Sequence, residues 1–155
     1  MRILDKYNIE YNTLNYGKND GKIDGISVAK KIGKDLESVY KTLVTHGSGN
    51  ELYVFVVPVS AELDLKKAAK AAGEKKIQMI HVKDILKYTG YVRGGCSPIE
   101  MKKQYMTYID DAAEMEKTIV VSAGQIGLQI ELNPNDLIKV VEGDFYNLTS
   151  KYEGE

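Results

Sequence analysis

The chain has 155 residues, with 21 Lys and Arg against 22 Asp and Glu and a formal net charge of -1. That length fits one domain able to bury a core without staples, and the charge balance excludes a generally basic nucleic-acid coat. One Cys forbids an internal disulfide, and His46 and His81 alone leave a Cys/His zinc site short of ligands, so no metal and no cofactor are expected. No apolar run reaches membrane-spanning length, and the N-terminus from Met1 to Lys6 lacks the apolar core of a signal peptide. The expectation is a soluble, cytoplasmic protein with no membrane partner.

Residues 9–14 read as a short strand, followed by a turn-rich loop over 15–21. Residues 27–32, closed by Gly33, read as a short helix, and Lys30, Lys31 and Lys34 suit the negative end of its dipole. Residues 38–45 and 52–57 read as neighbouring strands, with His46-Gly47-Ser48-Gly49-Asn50 supplying the hairpin turn. Asp64 is placed to cap a helix over 65–72 that Gly73 stops. A strand over 77–80 and a short helix over 82–87 come next. Further strands cover 106–109 and 118–121, and 126–132 follows across a turn at Gly124. Asn133 and Pro134 open a last helix over 136–141, and 145–148 closes the domain. Pro58, Pro98 and Pro134 lie far apart and no repeat or linker interrupts the chain. The pattern predicts a single α+β domain over 1–155, a curved mixed sheet with short helices packed around it.

Several residues could carry chemistry. Period-two alternation puts Val39, Lys41 and Leu43 on one strand face. If that face packs inward, Lys41 points into a pocket where an ammonium can hold an oxyanion or carbonyl; otherwise it is an edge-strand lysine reaching water. Gly94-Gly95-Cys96-Ser97-Pro98 can bring backbone N–H groups and the Ser97 hydroxyl against a ligand, or can be an ordinary tight loop. Its glycine spacing matches neither a Walker loop nor a dinucleotide fingerprint. Ser122-Ala123-Gly124 is a small-residue turn that gains a functional meaning only if it meets the first glycine loop in space. Cys96 invites a thiol nucleophile with His46 or His81 as base, but no cysteine-protease signature surrounds it. Asp110-Asp111 are adjacent strand residues that face opposite sides, which suits a turn or helix cap better than a paired-carboxylate site. Lysines cluster at 66, 67 and 70, at 75 and 76, and at 102 and 103, as solvated faces or as local contacts to a phosphate backbone.

Taken in order, Tyr40-Lys41-Thr42-Leu43-Val44, Leu65-Lys66-Lys67-Ala68-Ala69, Thr89-Gly90-Tyr91, Gly94-Gly95-Cys96-Ser97-Pro98, Lys102-Lys103, Ser122-Ala123-Gly124 and Asn135-Asp136-Leu137-Ile138-Lys139 resemble the YbaK/EbsC family across nearly the whole chain. The resemblance implies a barrel-like α+β fold related to the editing domain of prolyl-tRNA synthetase. It implies a free-standing deacylase that removes cysteine from Cys-tRNA(Pro), and by extension from Cys-tRNA(Cys). By the same resemblance Lys41 and Tyr16 belong to the active site, while Gly94, Gly95, Ser97, Pro98, Ser122 and Gly124 contact the terminal adenosine and the aminoacyl group. The implied partners are the 3′ end of a mischarged tRNA and prolyl-tRNA synthetase.

The chain departs from the family pattern where Pro98-Ile99 is followed by Glu100 instead of Gly, where Cys96 stands in a commonly aliphatic position, and where Gln129 corresponds to a polar residue of some relatives. In the family the substrate's own thiol is thought to attack its ester, which fits a chain with no Ser-His-Asp signature. Three alternatives remain at this stage. They are a deacylase of Ala-tRNA(Pro) that activates a water, a non-catalytic module binding a tRNA end or nucleotide, and a thiol enzyme acting through Cys96.

Overall fold

Leu-Tyr-Val-Phe-Val-Val-Pro is apolar without alternation, as expected of a strand covered on both faces. In the structure, a computed structural model that describes residues 2–150, this run is β3 (Leu52–Pro58) at the centre of the larger sheet. Residues 1 and 151–155, which the single-domain expectation also covers, lie outside the described residues. Alternation reappears in the packing of β3. Val54 and Val56 enter one buried cluster, while Tyr53, Phe55 and Val57 enter a second on the opposite face.

β2 (Tyr40–His46) pairs antiparallel with β3 along its whole length, Tyr40 opposite Pro58 and His46 opposite Leu52. On the other side of β3 lies β5 (Met106–Asp110), parallel to it, and then β8 (Asp144–Tyr146), parallel to β5. The two-residue strand β4 (Gln78–Met79) pairs only with the last two residues of β2. A smaller antiparallel sheet places β7 (Leu128–Leu132) between β1 (Tyr11–Asn15) and β6 (Ile119–Gln125). The two sheets share one buried cluster, in which Val54 and Val56 of β3 are grouped with Val121 of β6 and Ile130 of β7. A parallel bridge, Val39 beside Val120, also joins them, the Val120 N–H donating to the Ser38 carbonyl at 2.8 Å. The chain is thus α+β with one mixed and one antiparallel sheet; among the described residues the two sheets are not closed, so the barrel-like expectation is not confirmed. β4 is too short to extend the pairing of β2, so one edge of β2 stays open between the bridge at Val39 and the pairing at Thr45.

The helices form where caps and apolar stripes coincide. Asp24 accepts the Ser27 N–H at the start of α2 (Gly25–Ile32), and Gly33 ends it in the left-handed region. Asp64 accepts the N–H groups of Lys66 and Lys67 at the start of α3 (Leu65–Ala72), whose Ala68 and Ala69 pack beneath Phe55 and Val57. Residues Val82–Asp84 form a 3-10 turn leading into α4 (Ile85–Thr89), and Pro134 and Asn133 start α5 (Pro134–Val141). The lysines at the end of α2 do more than suit its dipole. Lys31 donates to the carbonyls of Gly17 and Lys22 and pairs with Asp20 at 2.8 Å, so it ties down the loop after β1. Among the described residues no helix is long and apolar enough to cross a membrane.

Two local expectations are corrected. The reversal between β6 and β7 lies at Ile126-Gly127, between the paired Gln125 and Leu128, and Ser122-Ala123-Gly124 is strand with a register shift. Gly127 supplies the positive φ that the turn needs, and Gly124, also at positive φ, marks the bulge. A helix, α1 (Arg2–Lys6), stands where no element was expected. Five residues carry too little pattern to announce a helix; this one is held from outside, by burial of Leu4 and by the Glu100 carboxylate accepting the Ile3 N–H.

Candidate active site

A cavity of about 670 Å3 opens where the start of α2, the open edge of β2, the loop after α4 and the paired strands β6 and β7 meet. Lys41 lines it. On the same strand face, Val39 packs against α2 and Leu43 against the α3 side of the sheet. The Lys41 side chain is 29% exposed, and its Nζ lies 3.9 Å from a carboxylate oxygen of the almost fully exposed Glu62. The ammonium is therefore held loosely and stays available to a ligand.

The backbone beside it is also open. Val39 turns its carbonyl toward β3, where it accepts the Val59 N–H, so even-numbered residues of β2 direct their polar groups to the other edge. There the Ser38 carbonyl is taken by Val120 and the Val44 carbonyl by Ile80. Between those two anchors the amide groups of Thr42 face the gap, with no strand pairing that side among the described residues. Thr42 lines the cavity and its buried hydroxyl has no hydrogen-bond partner there.

The two glycine segments come together. A Cβ built on Gly95 would stand 3.0 Å from the Ile126 backbone nitrogen and 3.1 Å from backbone atoms of Gln125. A Cβ on Gly94 would meet the Ile23 side chain at 2.9 Å, and one on Gly124 would meet the Tyr91 ring at 3.0 Å. Tyr91 in turn donates its hydroxyl to the Ile99 carbonyl, and the Gly95 N–H donates to the Val92 carbonyl, which fixes the loop. The condition for the second segment to matter, convergence with the first, is met.

Of the residues singled out in the sequence, Lys41, Gly94 and Ser122 line the cavity. Tyr16, Gly95, Ser97, Pro98 and Gly124 stand outside its lining. Tyr16 is buried beneath the Lys31 ammonium, 5.8 Å from its ring centroid, with its hydroxyl unpartnered among the described residues. Ser97 is fully buried and its hydroxyl accepts the Ile99 N–H, a turn-forming bond. Ser122 accepts the Gly124 N–H in the same way and sits directly opposite Gln129, which also lines the cavity.

Cys96 lines the cavity too, but burial pushes its thiol up to about 11, only partly opposed by a hydrogen bond with Thr89, and neither histidine is in the lining. A neutral thiol without a base is a poor nucleophile. Asp110 is buried and caps: its carboxylate accepts the N–H groups of Ala112 and Leu148. Lys67 likewise serves the fold, donating to the Thr149 carbonyl at 2.7 Å.

Sequence reasoning missed the wall formed by Asp24, Gly25 and Ile26 at the start of α2, and it gave Arg93 no role. A signal existed for the first. Asp24 precedes Ser27 by the spacing of a helix cap, and Gly25 is needed because a Cβ there would overlap Val59 at 2.4 Å. The open edge of β2 had no such signal, since it depends on how short β4 is.

Comparison with known proteins gives the geometry a family. The sequence profile of the aminoacyl-tRNA editing domain matches residues 25–140. The Enterococcus faecalis protein named "Putative Cys-tRNA(Pro)/Cys-tRNA(Cys) deacylase EbsC" is 42% identical over 151 residues, covering 97% of this chain and 92% of that one. Among solved structures, hypothetical protein APE2540 matches with a TM-score of 0.87 at 17% identity, over 96% of this chain and 97% of that one. A "putative trans-editing enzyme for prolyl tRNA synthetase" matches with a TM-score of 0.81 at 18% identity, over 91% and 87% of the two chains. At such identities the solved structures speak for the fold alone, whereas the profile and the Enterococcus relative speak for descent. This chain belongs to the aminoacyl-tRNA editing domain family, among the deacylases of the YbaK/EbsC type.

Proposed function

We propose that the protein removes cysteine from mischarged Cys-tRNA(Pro), and from Cys-tRNA(Cys), as a free-standing editing enzyme. The observation that carries this reading is a cavity with a loosely held ammonium beside unpaired strand backbone, in a chain 42% identical to a protein named for that activity. An aminoacyl ester is already activated, so positioning and charge stabilisation supply most of what its cleavage needs. The substrate's thiolate sulfur attacks the ester carbonyl carbon, a carbon–sulfur bond forms, and the bond from that carbon to the ribose oxygen breaks. The thiol proton ends on the ribose oxygen, leaving tRNA with a free terminal diol and cysteine as a four-membered thiolactone that water opens.

In this reading the Lys41 ammonium, together with backbone of the Gly94-Gly95 and Ser122-Gly124 segments other than the N–H groups of Gly95 and Gly124, which Val92 and Ser122 already engage, holds the carbonyl oxygen as it gains charge. Tyr16 acts from behind the cavity wall, and Ser97 and Pro98 keep the loop in shape. Specificity follows from the thiol doing the chemistry, since a pocket alone separates side chains differing by one methylene by only about 1–3 kcal/mol. A net charge of -1 gives the chain little general hold on tRNA, so prolyl-tRNA synthetase is the proposed partner that supplies the grip.

The test is release of labelled cysteine from Cys-tRNA(Pro), beside alanine from Ala-tRNA(Pro), by wild type and Lys41→Ala. Rapid loss of the cysteine ester alone, abolished in the variant, is expected. Alanine release at a similar rate would replace thiol assistance by water attack, and no release of either by folded protein would leave a binding module. Stimulation by added synthetase that grows with salt is expected of the partner; equal rates with and without it at high salt would remove it.

A further inference from the structure

The cavity holds a second cation that the proposed chemistry does not use. Arg93 lines it from the loop between Tyr91 and Gly94, and unlike Lys41 it is exposed, which puts it at the mouth. No hydrogen bond, ion pair or ring contact engages its guanidinium among the described residues. The two carboxylates of the lining are directed elsewhere. Asp24 accepts the N–H and hydroxyl of Ser27, which hold its carboxyl below the usual range, and Glu62 reaches toward Lys41. The backbone that carries Arg93 is nevertheless fixed: Gly95 is bonded to Val92 and stands against Ile126, Gly94 stands against Ile23, and Tyr91 is tied to Ile99. A free guanidinium on a fixed loop at the mouth of a cavity is arranged to meet an anion that enters with a ligand.

The ligand's shape says which anion. About 670 Å3 accommodates an aminoacyl-adenosine, so the polynucleotide must leave through the mouth, and its first charged group is the phosphate on the 5′ oxygen of that adenosine. Arg presents a planar fork that binds phosphate through two parallel hydrogen bonds. We propose that Arg93 binds the 5′ phosphate of the terminal adenosine, so that the site measures the distance between that phosphate and the ester held near Lys41. This rests on the deacylase reading above and adds a group to its substrate.

The test compares 3′-cysteinyl-adenosine with and without a 5′ phosphate. Wild type is expected to turn over the phosphorylated ester with a KM about five- to tenfold lower and a similar kcat, the size of one charge-assisted contact at a wet rim. Arg93→Gln is expected to lose that preference by raising KM for the phosphorylated ester only, and Arg93→Lys to keep part of it. With Cys-tRNA(Pro), the slope of log KM against log salt should fall by about 0.7 in Arg93→Gln, one phosphate contact on a single strand. An equal effect of Arg93→Gln on both esters, or none on either, overturns the proposal. Binding of the uncleavable 3′-amide analogues, with and without the 5′ phosphate, separates the two layers. If wild type cleaves neither ester, the deacylase reading fails, while a phosphate preference in binding that Arg93→Gln removes still supports Arg93 as the phosphate contact; no such preference overturns it.

Discussion

Gly95 and Ile126 are in backbone contact: a Cβ on Gly95 would lie 3.0 Å from the Ile126 nitrogen, with Gln125 backbone atoms at 3.1 Å on the same side. Backbone cannot rotate away as a side-chain tip can. Gly95→Ala therefore separates the loop from the β6–β7 turn, at a cost of about 1–3 kcal/mol for overpacking. Both walls of the cavity move with it, so kcat/KM should fall by more than about tenfold, since a misplacement near 1 Å at a site is enough for that. Thermal melting together with cysteine release checks this. A variant with a lower Tm and full activity would separate the contact from the site.

Lys41 makes the contrasting case, in which activity and stability part. Its ion pair is 3.9 Å long and its partner Glu62 is open to solvent, so Lys41→Met should change stability by less than about 1 kcal/mol. Loss of a preorganised oxyanion partner typically costs about a hundredfold or more in kcat. Cysteine release should fall by that order while the urea midpoint stays within error. A fully active Lys41→Met would remove the ammonium from the proposed chemistry.

The sequence made local matters legible and left assembly obscure. Asp64, Gly73, Asn133 and Gly33 cap and stop helices where their chemistry says they should. The face shared by Val39, Lys41 and Leu43 is a direct reading of strand alternation. Ser122-Ala123-Gly124 misled because small residues suit turns and bulges equally, and only pairing with Gln129 decides between them. The open edge of β2 and the approach of Gly95 to Ile126 are relations between segments about thirty or more residues apart in sequence. No single stretch encodes them. Arg93 was invisible for a similar reason, since an exposed arginine acquires a meaning only once a cavity mouth stands beside it.

Gln129 supplies a test of the opposite wall. It is 6% exposed and lines the cavity, and no hydrogen bond engages its amide among the described residues. Replacing an amide that has no partner with an apolar side chain of similar size should be neutral or slightly stabilising. Gln129→Leu is thus expected to keep or raise Tm while raising KM for Cys-tRNA(Pro) several-fold, because the amide's partner arrives with the substrate. A marked drop in Tm would show that the amide serves the fold instead.

Cys96 should be chemically quiet. With its thiol pushed up to about 11 by burial, almost all of it is protonated at neutral pH. Alkylation by iodoacetamide should be slow at pH 7 and still be climbing steeply at about pH 10, well above the profile of a free cysteine near 8.5. Cys96→Ser should release cysteine from Cys-tRNA(Pro) at a rate within about twofold of wild type, because the proposed step uses the substrate's thiol and not the enzyme's. Loss of activity in Cys96→Ser, with alkylation already complete at neutral pH, would reinstate a thiol enzyme.

Glu131 links pH to the sheet that carries the site. From β7 its carboxylate accepts Lys34 at 2.9 Å, Thr118 at 3.0 Å and Asn12 at 3.4 Å, and the Lys34 bond above all holds it below the usual glutamate range. A carboxyl depressed in the folded state stabilises that state fully above its unfolded value, about 4.3, and the contribution is lost as pH falls through the folded value. Glu131→Gln should therefore cost about 1–3 kcal/mol at pH 7, the range for breaking a largely buried charged hydrogen bond. That deficit should shrink as the pH is lowered from about 5 toward 3, where wild type loses the same interaction by protonation. Asp24, Asp64 and Glu74 are held low as well, so both proteins weaken in acid and only their difference reports on Glu131. Urea midpoints across that pH range measure it. Curves that stay parallel down to pH 3 would mean that Lys34 and Glu131 are neighbours without being coupled.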